Sequence, residues 1–127
     1  MADRRHAHSA GTAEAGRHQG ETSGRSGIVL PDYVTGFDFR MAVGDTYELM
    51  KAEGIRMIRD LRPGVTEWIA HPSVVTDELK AFHEQWEKRG WERAFWNDVQ
   101  VKAVLAGEKI HMIGWKDLQQ LQTGLSP

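Results

Sequence analysis

No Leu, Ile, Val, Phe, Trp or Tyr occurs before Ile28. A segment of Ala, Gly, Ser, Arg and His cannot bury enough apolar surface to offset the entropy of ordering it, so residues 1–27 read as a disordered tail. The pattern changes at Ile28, and residues 28–127 read as one folded unit. Ile28-Val29-Leu30, ahead of Pro31-Asp32, has the composition of a short strand or extended entry ending in a turn. Residues 33–44 mix aromatics with Gly36 and Gly44 and read as a loop. Asp45 or Thr46 then caps a helix to about Asp60, with Tyr47, Met50, Ile58 and Leu61 on one face and Gly54 weakening its middle. After the turn Arg62-Pro63-Gly64, residues 65–70 have strand composition and stop at His71-Pro72-Ser73.

Residues 76–89 give the strongest helical pattern. Acids stand in the first turn (Asp77, Glu78) and bases in the last (Lys88, Arg89), while Leu79, Phe82, His83 and Trp86 recur at helical spacing before Gly90. A second helix is expected from about Glu92 to Ala106, a short strand at Lys109-Ile110-His111-Met112-Ile113, and a closing helix over residues 115–121. Helices alternating with short apolar strands imply an α/β fold in which helices cover a parallel sheet.

Composition narrows the class. With 127 residues, 40% of them hydrophobic, the chain has room for one core. There are 16 Lys+Arg against 18 Asp+Glu, and neither the tail nor the remainder is basic enough to argue for nucleic acid. No cysteine is present, which excludes disulfides, thiolate metal sites and a cysteine nucleophile and makes the cytoplasm the default expectation. The longest apolar stretches fall far short of the ~20 residues of a membrane helix.

Few residues carry chemistry. His71 directly follows a strand and precedes a proline, where α/β proteins place ionisable groups, and an imidazole can act as acid or base near neutral pH. Glu67 shares its strand parity and hence its sheet face, though four residues of strand separate the two by about 13 Å. A loop histidine bonded to backbone and an acid on a solvated strand face are the ordinary alternatives. His83 and His111 read as packed residues, and His6, His8 and His18 as accidents of tail composition. His71, His83 and His111 show no short metal-ligand spacing such as H-x-x-x-H, and neither a phosphate-binding glycine loop nor a G-x-S-x-G elbow is present. Five tryptophans (Trp68, Trp86, Trp91, Trp96, Trp115) can fill a core or stack on sugar rings.

The segment Pro63-Gly64-Val65-Thr66-Glu67-Trp68-Ile69-Ala70-His71-Pro72-Ser73 resembles a late strand of the YdjC-like carbohydrate deacetylases, P-P-G-V-T-E-L-x-x-H-P-G. Leu30-Pro31-Asp32-Tyr33 with Gly36-Phe37 is similar to that family's T-P-D-H-F-x-G-F, Arg93 to its R-x-x-E-L stretch, and residues 109–118 to its terminal G-I-x-L-I-x-[FW]-x-D-L. The resemblance covers about residues 27–121. It implies the C-terminal part of an incomplete (β/α) barrel and an N-acetylated carbohydrate as ligand. The family's chemistry is hydrolysis of the acetamide by water activated on a divalent metal such as Mg or Zn. It also implies His71 as the catalytic acid, Glu67 as a supporting residue, and Asp32 and Arg93 as substrate-side positions.

The family's A-D-D-[FY]-G strand and its two metal-binding histidines have no counterpart here, and Ser73 replaces a glycine. No residue of this chain is therefore assigned to a metal, and the expectation is a truncated, inactive deacetylase fragment whose unpaired strand edges favour oligomers. The alternative is a stand-alone, non-catalytic α/β module that binds sugar or protein. In a third reading a separate chain supplies the metal ligands and this one supplies His71.

Overall fold

Tyr33, Val34 and Thr35 are three strand formers in a row. In the computed structural model, which describes residues 30–124, they open β1 (Tyr33–Gly36), within the segment that composition reads as a loop. The turn glycine there has another use. A Cβ on Gly36 would lie 2.7 Å from the Ile69 carbonyl oxygen, so glycine is what lets the neighbouring strand approach. That neighbour is β2 (Thr66–Ile69), inside the expected strand at residues 65–70 and parallel to β1, with Tyr33 paired to Thr66 and Gly36 to Ile69. Ile28, Val29 and the tail expected at residues 1–27, with its three histidines, lie outside the described residues.

The crossover between the strands is α1 (Tyr47–Arg59), the helix expected from residue 45 or 46 to about 60. Thr46 caps it, its Oγ1 accepting from Leu49 N at 3.2 Å. Met50 and Ile58 are buried on the expected face, Tyr47 is half-buried, and Leu61 lies beyond the helix. Gly54 is no weak point: a Cβ there would fall 2.5 Å from the Phe95 ring and 2.7 Å from Phe37, so the helix can approach those rings only without one.

The single helix expected over residues 76–89 is two. The first, α2 (Asp77–Phe82), ends where His83 turns extended (φ −137°, ψ 120°). The chain then restarts as α3 (Trp86–Asn97), running straight through Gly90. The helical stripe was misleading because Phe82 is 81% exposed and never joins the core. Gly90 reads as a stop but sits mid-helix, where Val75 Cγ2 would lie 2.5 Å from a Cβ. The expected 92–106 helix is likewise interrupted: Asp98 ends α3 and caps α4 (Val99–Gly107) through Oδ1 to Gln100 N at 2.8 Å.

Residues 109–113 form no strand, although their alternation predicts one. The end of α4 is tied off by Ile110 N to Leu105 O at 2.9 Å, Lys109 takes φ +57°, and His111, Met112 and Ile113 are exposed with no strand beside them. Alternation makes a strand only when a partner supplies hydrogen bonds. The expected closing helix is present as α5 (Trp115–Gly124).

The described residues thus form a mixed α/β fold with five helices and a two-stranded parallel sheet. One sheet face carries Trp68 into an aromatic core. Phe37 meets Trp68 and Phe95 edge-on at 5.3 and 5.0 Å, and Trp96 meets Trp68 and Phe95 at 5.2 and 5.0 Å. Such pairs add about 0.5–1.5 kcal/mol each beyond the area they bury. Met50, Ile58 and Val101 complete the buried cluster. Strand alternation puts Val34, Glu67 and Ile69 on the opposite face, where Ile69 is 45% exposed. No helix among the described residues is long and apolar enough to cross a membrane.

Candidate functional site

Parallel strands leave their carboxyl ends facing one rim, where backbone groups run out of partners and loops can gather side chains. Here β1 runs into Phe37-Asp38-Phe39 and β2 into Ala70-His71-Pro72. The two exits meet. The Phe39 ring stands edge-on to the His71 imidazole, with centroids 4.3 Å apart.

His71 is held from behind by α3. Its backbone N–H donates to Glu92 Oε2 at 2.5 Å, and two residues on Ser73 N donates to the Arg89 carbonyl at 3.1 Å. Glu92 is only 3% exposed and is the one buried charged residue among those described. A carboxylate taken out of water is tolerated when it accepts strong hydrogen bonds, and the His71 amide supplies one. Within the imidazole, Nδ1 is enclosed and has no partner among the described residues, which leaves Nε2 as the nitrogen open to a ligand.

Arg89 also reaches back to α2, its Nη2 lying 2.8 Å from His83 Nε2. A guanidinium only donates, so Nε2 accepts and the ring proton sits on Nδ1. The 3.3 Å approach of Gln85 N–H to that Nδ1 is therefore a contact rather than a bond. His83 ties the α2–α3 bend to α3, half-buried beyond the end of α2 and outside the aromatic core, rather than packed on the apolar face of a helix.

The loop bearing Phe39 is fastened to the same helix. Lys88 Nζ donates to the carbonyls of Asp38 and Arg40, each at 2.6 Å, and lies 3.9 Å from the Asp45 carboxylate. Met41 N donates to Gln85 Oε1 at 3.2 Å. Beside the loop lies a small hollow of about 70 Å³ that opens to solvent, walled by Phe37, Leu49, Met50, Trp91 and Lys88.

The other sequence candidates are spread out. Asp32 sits at the amino end of β1, its Oδ2 accepting from Val65 N at 2.8 Å beside Gly64 (φ +130°), where a Cβ would lie 2.7 Å from that oxygen. It locks the turn into β2 and lies about 20 Å along the strands from His71, so the two do not share a site. Glu67, paired with Val34, occupies the half-buried face opposite Trp68, on the same side as His71 by alternation but about 13 Å away. Arg93 is exposed on α3, its carbonyl accepting from Asn97 Nδ2, one position from Glu92. Glu92 and Phe39 escaped the sequence reading, since their sequence distances from His71 fit no local motif.

Among the described residues no three His, Asp or Glu side chains come together as metal ligands. The donor set required by the implied divalent ion is not formed by these residues, and no chemical step can be routed through such an ion. Comparisons of the chain with protein families, with curated proteins and with solved structures each returned no match.

Proposed function

We propose that this chain is a deacetylase-like βα unit that binds the acetamido group of an N-acetylated sugar at the His71 rim without hydrolysing it. The observation that carries this reading is the placement of His71. It stands just past the carboxyl end of the second strand of a parallel β–α–β unit, its amide anchored by buried Glu92 and its ring walled by Phe39. The parallel crossover is the repeating unit of a (β/α) barrel, which is the fold that the resemblance to the YdjC-like family implies. His71 Nε2 would hydrogen-bond the acetamido oxygen or nitrogen, and Phe39 would cover its methyl group. Hydrolysis is left out because the family's chemistry relies on water activated by a divalent ion, and no three His, Asp or Glu side chains among the described residues come together to hold one.

The test is a titration of the full chain with N-acetylglucosamine and its N-acetylated dimer, followed by amide and imidazole NMR signals. Saturable shifts at Phe39 and His71 are expected, with millimolar affinity of about −4 kcal/mol, weaker binding of glucosamine, and no acetate release. Absence of saturable shifts at these residues overturns the binding role. Acetate release by the purified chain overturns the non-hydrolytic part.

A further inference from the structure

Phe39 lies in a stretch with little apolar anchorage: it is 37% exposed, and Val43, four residues on, is fully exposed. Packing alone does not fix such a loop, and its position has to come from hydrogen bonds. They converge on one side chain. The Lys88 side chain, on α3 and only 11% exposed, gives two of its three protons to the carbonyls of Asp38 and Arg40, the residues on either side of Phe39. The third faces the Asp45 carboxylate at 3.9 Å, whose Oδ2 in turn accepts from Ala42 N at 2.7 Å. Gln85, one turn earlier on the approach to α3, accepts from Met41 N. The same helix carries Glu92 one turn after Lys88, and Glu92 holds the His71 amide.

We propose that Lys88, assisted by Gln85, is a positioning residue for the His71 site: by clamping the two carbonyls that flank Phe39 it holds the aromatic wall against the imidazole. α3 thereby fixes both halves of the rim, the imidazole through Glu92 and the wall through Lys88. The ammonium suits this task because a buried cation must find acceptors, and only the closed loop provides two carbonyls and a carboxylate together. The affinity consequence rests on the sugar-binding reading of His71; the geometric one does not.

The experiment compares the His71 imidazole proton signals, shifted by the Phe39 ring, in the full chain and in K88M, F39L and the double variant at constant pH. K88M is expected to move these signals in the direction that F39L moves them and to add nothing once Phe39 is gone, the signature of a residue acting through another. The Ile58 and Val101 methyl signals should stay in place. N-acetylglucosamine affinity should fall about fivefold in K88M. His71 signals unchanged in K88M, or moved equally with and without Phe39, overturn the proposal. If K88M unfolds the chain, Q85A decides instead: a smaller shift in the same direction supports the clamp, and none refutes it. Should the parent chain bind no sugar, the reading of His71 fails while the imidazole signals still decide the role of Lys88.

Discussion

The carboxylate of Glu92 shows how one side chain can matter more than the motif it serves. Its partner is the backbone of His71, so a substitution acts through an unsatisfied buried amide. Glu92→Ala should cost about 2–3 kcal/mol in urea denaturation, the range for an orphaned buried donor with some lost packing. Glu92→Gln, which keeps an acceptor and removes a desolvated charge, should stay within about 1 kcal/mol of the parent. Equal and small effects of both changes would mean that the His71 amide does not depend on this bond. His71→Asn should leave stability nearly unchanged, because Phe39 is the one aromatic neighbour of the ring among the described residues, and on the sugar-binding proposal it should abolish N-acetylglucosamine shifts at the rim. His71 was legible in the sequence because it ends a recognisable strand. Its supports were not, because Glu92 lies 21 residues away and meets it only through the fold.

At the scale of elements, the sequence pattern located α1, β2 and α5 but misjudged where helices break. Thr46 was readable as a cap because capping is local chemistry within three residues, seen in Leu49 N bonding to its hydroxyl; Thr76 does the same for Leu79 N, although the pattern placed it inside the helix. Gly36, Gly54 and Gly90 were misread because each answers to an atom elsewhere: the Ile69 carbonyl, the Phe95 and Phe37 rings, and Val75. Gly54→Ala tests this. Helix propensity alone would gain about 1 kcal/mol, whereas overpacking against two buried rings costs about 1–3 kcal/mol. A net loss of about 1–2 kcal/mol in a chemical melt is expected, and a gain would show that the rings can withdraw.

The joint between α1 and α4 has a pH signature. Tyr47 Oη donates to Asp98 Oδ2 at 2.8 Å, and Lys51 Nζ lies 2.8 Å from the same oxygen. The bond from Lys51, then that from Tyr47, lowers the Asp98 pKa to about 2, while burial, then Asp98, raises that of Tyr47 to about 12. A depressed carboxylate pKa contributes stability above the ordinary range near 4 and loses it as pH falls toward 2. A raised phenol pKa contributes stability below pH 10 and loses it as pH climbs toward 12. Melting temperature against pH should therefore drop at both ends. Tyr47→Phe should flatten the alkaline drop, and an unchanged alkaline limb would place its origin elsewhere.

For the whole molecule, the described sheet is too small to be self-sufficient in the way most parallel sheets are. Such sheets normally carry helices on both faces and neighbours along both edges, and two strands alone are marginal in water. Here each strand has one partner, and one face presents Ile69 at 45% exposure, with Leu30, Val74 and Val75 also exposed nearby in sequence. Unpaired edges are templates for further strands. The expectation is concentration-dependent self-association, read by sedimentation velocity as a weight-average mass that rises over the micromolar range. Ile69→Lys puts a charge on the open face without touching the Trp68 core, so it should restore the monomer and leave the melt nearly unchanged. A mass independent of concentration in the parent chain would show that the edges and the open face are already covered, and the barrel-like reading would then lose its need for neighbouring strands. Self-association abolished by I69K, with sugar shifts at His71 intact, would separate the sheet's assembly from the rim's binding and leave each reading to stand on its own residues.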